Sequence, residues 1–129
     1  MKKVKVIIER GDDGFSAYTI DKFEDFALFG FGDSVEKTID DFNIAYGELK
    51  ASLDNVPELQ FDFRYDVASF LDYFSGMLSK SGLQKITGIN QKQLWHYAAG
   101  RSKPRPETTR QIQTRLHNFA DELKRIHFA

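Results

Sequence analysis

Residues 83–100 read LQKITGINQKQLWHYAAG, two short helix-forming runs parted by a glycine. Leu83 and Ile86 mark the first run, and Gly88 stops it by offering the left-handed backbone that closes a helix. Asn90 and Gln93 are spaced as a capping-box pair opening a second helix, expected to run to about Ala99 ahead of Gly100. With Leu94 at zero and about 100° per residue, Tyr97, Asn90 and Ala98 fall within about 60° of it. Lys92, His96 and Ala99 fall on the opposite side, flanked by Trp95 and Gln91. The pattern therefore predicts two helices joined by a tight turn, with Ile89, Leu94 and Tyr97 facing inward and the second helix held out from the body.

On either side the chain changes character. Downstream, Pro104 and Pro106 bracket a loop, and Pro106 suits the first turn of another helix. Its apolar residues Ile112, Leu116, Phe119, Leu123 and Ile126 recur every three or four positions and form one long face. Upstream, Val67, Phe70, Leu71, Phe74 and Leu78 mark one more helix, so residues 67–129 read as an all-α unit with a four-helix core. Residues 1–66 read as layers of strand and helix. Val4, Val6 and Ile8 alternate with Lys3, Lys5 and Ile7; Gly11, Asp12, Asp13 and Gly14 supply a turn; Phe15, Ala17 and Thr19 resume the alternation. That is a β-hairpin. A third strand is expected at residues 27–31, ended by Gly32. Asp33 and Ser34 then offer an N-cap to a helix of about five turns, striped by Val35, Ile39, Phe42, Tyr46, Leu49 and Leu53. After Pro57, the alternation of Leu59, Phe61, Phe63 and Tyr65 predicts a fourth strand. The expected fold is α+β, a small β-β-β-α-β unit over residues 1–66 followed by the all-α unit over 67–129.

Composition narrows the function classes. The chain has 129 residues, 41% hydrophobic and 29% charged, enough for one compact domain or two small ones and too apolar for disorder. It has no cysteine, which excludes a disulfide scaffold, a thiolate metal site and a cysteine nucleophile, and fits a reducing cytoplasm. No run approaches the roughly 18 apolar residues of a membrane span, and no apolar segment follows Lys2 and Lys3, so no membrane partner is expected. The net charge of −1 conceals a division. Residues 1–66 carry eight Lys/Arg against fifteen Asp/Glu, a balance of −7, and residues 80–129 carry ten against three, a balance of +7. Eight of the twelve phenylalanines lie before residue 64. An acidic, aromatic half joined to a basic half implies two units with different partners.

The basic half points to duplex DNA. An outward-held helix fits the major groove, where amides and cations read base edges. Gln91, Lys92, Trp95 and His96 are the candidate base contacts. Arg101, Lys103 and Arg105 follow on the loop, placed to grip phosphates and fix the docking register.

Residues 83–108, LQKITGINQKQLWHYAAGRSKPRPET, resemble the Cro/lambda-repressor (Xre) type of helix-turn-helix in turn glycine, inward positions and trailing loop. Gln84 stands where members of that family usually carry alanine. In the first half, GFSAY at 14–18 and GDSVE at 32–36, opening an amphipathic helix, are similar to the partial RNase H-like domain of HicB antitoxins. The Pro-Gly-Cys segment that many of these carry is replaced here by residues 23–28. Together the resemblances imply an antitoxin whose first domain binds a HicA-like, mRNA-cleaving toxin and whose lambda-repressor-like second domain represses the operon by binding double-stranded operator DNA. A −7 unit complements a basic, RNA-gripping partner. A homodimer is expected, with higher oligomers open, because Phe119, Leu123 and Ile126 extend the last helix beyond what its core needs, and paired recognition helices read a palindrome.

Other chemistries are weaker fits. His96, His117 and His127 lie 21 and 10 residues apart without cysteines, so no metal is expected. Asp12, Asp13, Asp21, Asp25, Asp40 and Asp41 raise a two-metal nuclease. Asp12 and Asp13 instead read as turn residues, Asp40 and Asp41 as a helix's wet face, and the strands point hydrophobic residues inward. No catalytic residue and no cofactor is expected. The rival readings are a stand-alone helix-turn-helix regulator without a toxin and an RNA-binding or nuclease protein.

Overall fold

In the computed structural model, which describes residues 1–20 and 26–129, Val4, Val6 and Ile8 are buried while Lys3 and Lys5 face solvent. This alternation makes β1 (Lys2–Arg10) a half-covered strand. β2 (Phe15–Thr19) and β3 (Phe29–Gly32) follow it as antiparallel neighbours, and β4 (Leu59–Tyr65) pairs with β1 in parallel, giving the order β3-β2-β1-β4. The parallel pairing requires a crossover, supplied by α1 (Val35–Ser52). Ser34 opens α1 by accepting the Lys37 N–H on its hydroxyl at 3.2 Å, the cap expected from the sequence.

The first core gathers Val4, Val6, Ile8, Phe15, Ala17, Val35, Phe42 and Leu59. Phe42 meets the edges of Phe61 and Phe63, with ring centroids 4.9 and 5.9 Å away. Thr38 is the buried polar residue of α1, and its hydroxyl donates to the carbonyl of Ser34 at 2.7 Å. Tyr46 fastens the return to β4, donating to the Pro57 carbonyl and accepting from the Leu59 N–H, both at 3.0 Å.

β3 starts two residues later than expected and is turned inside out. A Cβ on Gly30 would lie 2.6 Å from the Thr38 carbonyl oxygen, and one on Gly32 2.7 Å from the Thr38 nitrogen. The backbone of α1 occupies the space that side chains would need, so the glycines face the helix and Phe29 and Phe31 face away, 63% and 71% exposed.

α2 (Val67–Tyr73) is shorter than the periodicity of residues 67–78 predicts and belongs to the sheet. Asp66 accepts from the N–H groups of Arg10 at 3.0 Å and Ser69 at 2.8 Å. Asp72 accepts from the Val35 N–H at 2.9 Å, and Tyr73 stacks on Tyr65. These ties move the boundary: the compact units are Met1–Tyr73 and Phe74–Ala129, rather than 1–66 and 67–129. The second unit accordingly holds three helices, not four: α3 (Lys80–Thr87), α4 (Gln91–Ala98) and α5 (Pro106–Lys124). They close on Leu83, Leu94, Tyr97 and Ile112. Among the described residues, no helix is long and apolar enough to cross a membrane. Asp21, Asp25 and residues 23–25 of the 23–28 segment lie outside the described residues.

Candidate nucleic-acid interface

α4 is held at its start by side chains. Gly88 adopts φ 76°, the left-handed conformation that lets α3 stop and the chain turn. The buried Thr87 hydroxyl donates to Leu83 O at 2.7 Å and accepts from the Ile89 N–H at 3.1 Å, tightening the turn. Gln111 of α5 donates to the Thr87 carbonyl at 3.2 Å. At the start of α4, Asn90 Oδ1 accepts from the Lys92 N–H at 2.7 Å. Gln84 of α3 reaches across the turn, its Oε1 accepting from the Gln91 N–H at 2.9 Å. Two of the N–H groups left over at a helix start are satisfied in this way.

The capping box expected between Asn90 and Gln93 does not form. Gln93 instead donates from Nε2 to Ser102 Oγ at 3.1 Å, fastening the loop that follows α4 to its first turn. Sequence reading missed Gln84 as a cap because the seven-residue separation matches no local capping pattern; the departure from alanine was the only signal.

Leu94 and Tyr97 are buried, and Gln91, Lys92 and Trp95 are exposed on the outer side of α4. These three candidate base contacts share one accessible surface. His96 is half-buried, with its ring centroid 5.5 Å from that of Trp95. Of the candidate phosphate contacts, Lys103 and Arg105 are exposed on the loop. Arg101 is not a free loop cation: its guanidinium lies 4.3 Å from the Trp95 ring centre, and its backbone N–H donates to the His96 carbonyl at 2.9 Å. This contact sets a fixed cation against a flat aromatic surface.

Among the described residues, no three His, Asp or Glu side chains converge as metal ligands. Asp12, Asp13, Asp40 and Asp41 are exposed, and Asp41 Oδ2 accepts from the Phe31 N–H at 2.8 Å. Compared with known proteins, the chain matches no family model, no curated protein and no solved structure.

Proposed function

We propose that the protein is a HicB-type antitoxin of a type II toxin–antitoxin system. Its helix-turn-helix, α3 and α4, binds operator DNA as an autorepressor, and its first unit, read as a partial RNase H-like domain, neutralises a HicA-like toxin. The observation that carries the DNA reading is the two-sidedness of α4, with Leu94 and Tyr97 sealed against the unit and Gln91, Lys92 and Trp95 outward. In the major groove Gln91 bonds adenine and Lys92 donates to guanine. Trp95, with Arg101 stacked on it, lies against the groove wall, and Lys103 and Arg105 neutralise phosphates. His96 lines the edge of this surface. The toxin reading is supported by the resemblance of the first unit and by its balance of −7 over residues 1–66.

Co-expression with the product of the adjacent gene, then a gel shift on the upstream DNA, tests both halves. The expected result is a co-purified small basic protein and specific retardation of that DNA. Lys92→Ala lowers specific binding by about tenfold or more and leaves non-specific binding nearly intact. Lys103→Ala weakens both alike and reduces the salt slope by about 1. Binding indifferent to both changes removes α4 as the reader. Specific DNA binding without a captured partner leaves a stand-alone regulator.

A further inference from the structure

The outward phenylalanines of β3 have no part in the core or in DNA binding, and nothing in folding favours large apolar rings in solvent. Phe29 and Phe31 are 63% and 71% exposed, on the sheet face opposite α1. They are not isolated. Phe29 pairs across the ladder with Tyr18, and Tyr18 with Ile7, so an apolar row runs from the β3 edge into the sheet. Two rings with an apolar strip beside them have the make-up of an interface anchor.

The surroundings say what fits there. Glu9 lies in the row of Phe31, beyond Ser16. Asp12 and Asp13 occupy the turn between β1 and β2, at the sheet end where Phe15 pairs with Gly32. Asp33 follows directly, and Asp41 holds the outward N–H of Phe31. Three cations accompany these carboxylates: Lys37, paired with Asp33 at 3.1 Å; Arg10, over the Phe15 ring; and Arg64, paired with Asp62 at the far end of the Phe29 row, so the end nearest the two rings keeps an excess of carboxylates. By occupying the Phe31 N–H, Asp41 also blunts the edge against an added strand, so binding there works through side chains. Nucleic acid would stack on the rings but bring its phosphates against the carboxylates. A second copy of the chain would bring like rims together.

We infer that Phe29 and Phe31 anchor a docking surface for a protein with a basic contact face around an apolar socket. On the antitoxin reading, that protein is the toxin and the face is the one that grips RNA.

The test uses the full chain and the protein encoded beside it, measured by calorimetry with operator gel shifts and thermal melts in parallel. Phe29→Ser and Phe31→Ser each weaken partner binding by roughly 30-fold, with melting and DNA binding unchanged because both rings lie in solvent. Asp13→Lys slows association and makes it less sensitive to salt. If the wild type binds the partner and the serine variants bind it equally well, the surface is wrong and the antitoxin reading stands. If the wild type does not bind it, the antitoxin reading falls and takes this occupant with it. Loss of self-association in the variants, seen by sedimentation, or loss of poly(U) binding would assign the rings to a second copy or to single-stranded RNA, and either result overturns the proposal.

Discussion

Gln84 shows how one side chain can set the placement of a helix. Its Oε1 accepts the Gln91 N–H at 2.9 Å, tying the exposed start of α4 to α3 independently of the core beneath. Gln84→Ala removes one cap, at a cost of about 1 kcal/mol in urea denaturation. Because Gln91 is itself a proposed base contact, the same change lowers specific DNA affinity, while Lys103-dependent non-specific binding stays as it was. Equal losses in both would mean that Gln84 touches phosphate directly. Tyr18 offers a second single-residue test. Burial, and then the neighbouring Glu9 carboxylate, hold the hydroxyl protonated above its ordinary value near 10. The folded value lies above the unfolded one, so the contribution to stability is complete below about pH 10 and is lost as pH rises through the folded value. Glu9→Gln removes the charge and brings Tyr18 ionisation to lower pH in an ultraviolet difference titration; an unchanged curve would leave burial and the Asp66 charge as the causes.

β3 and α1 meet backbone to backbone, and the glycines of β3 make that approach possible. Gly30→Ala would place a Cβ 2.6 Å from the Thr38 carbonyl and 2.7 Å from the Phe42 nitrogen, with no flexible side chain able to yield. The expected cost is about 3 kcal/mol, the upper range for overpacking, read as a lowered urea midpoint. α2 gives a complementary test of the boundary. Leu71 is buried, and Asp72 satisfies the first N–H of α1. A fragment of residues 1–73 therefore melts cooperatively, and one of residues 1–66 is less stable by about 2 kcal/mol or more from the lost leucine alone. Equal melting of the two would return the boundary to residue 66. These elements also show where sequence reading succeeds. Alternation in β1, β2 and β4 and the stripe of α1 were readable because one face of each meets a core and the other meets water. β3 was legible as a strand but its facing was not, because its phenylalanines lie outside: alternation marks a strand but not which face is buried when glycine is the inner residue. The end of α2 escaped because apolar spacing through Phe74 and Leu78 cannot show that the helix stops at Tyr73. The α4 face was readable because Gln91, Lys92 and Trp95 follow from helical geometry, whereas the stacking of Arg101 on Trp95 depends on the path of the loop.

Under the proposed function, charge and apolar surface divide the protein by task. The acidic balance lies in the sheet-bearing unit and the basic one in the helical unit, so a protein partner and DNA need not compete for the same ground. A single recognition helix spans only a few base pairs, so operator specificity on that proposal needs two copies about one turn of the duplex apart. α5 offers the means. Ile112 is buried and Leu116 and Phe119 are half-buried, yet the same spacing continues to Leu123 in the last turn of α5 and to Ile126, two residues past its end, 51% and 54% exposed. Packing against the rest of the unit ends before the stripe does. The double change Leu123→Ser with Ile126→Ser should leave the melting of the chain within about 0.5 kcal/mol of wild type, since neither residue supports the core. If these turns pair two subunits, the same variant sediments as a monomer and binds a single half-site. Its operator affinity falls by 100-fold or more, on the order of the gain that linking two sites provides. A variant that remains dimeric and keeps full operator affinity would show that another surface joins the copies, and the exposed end of α5 would then need a different explanation.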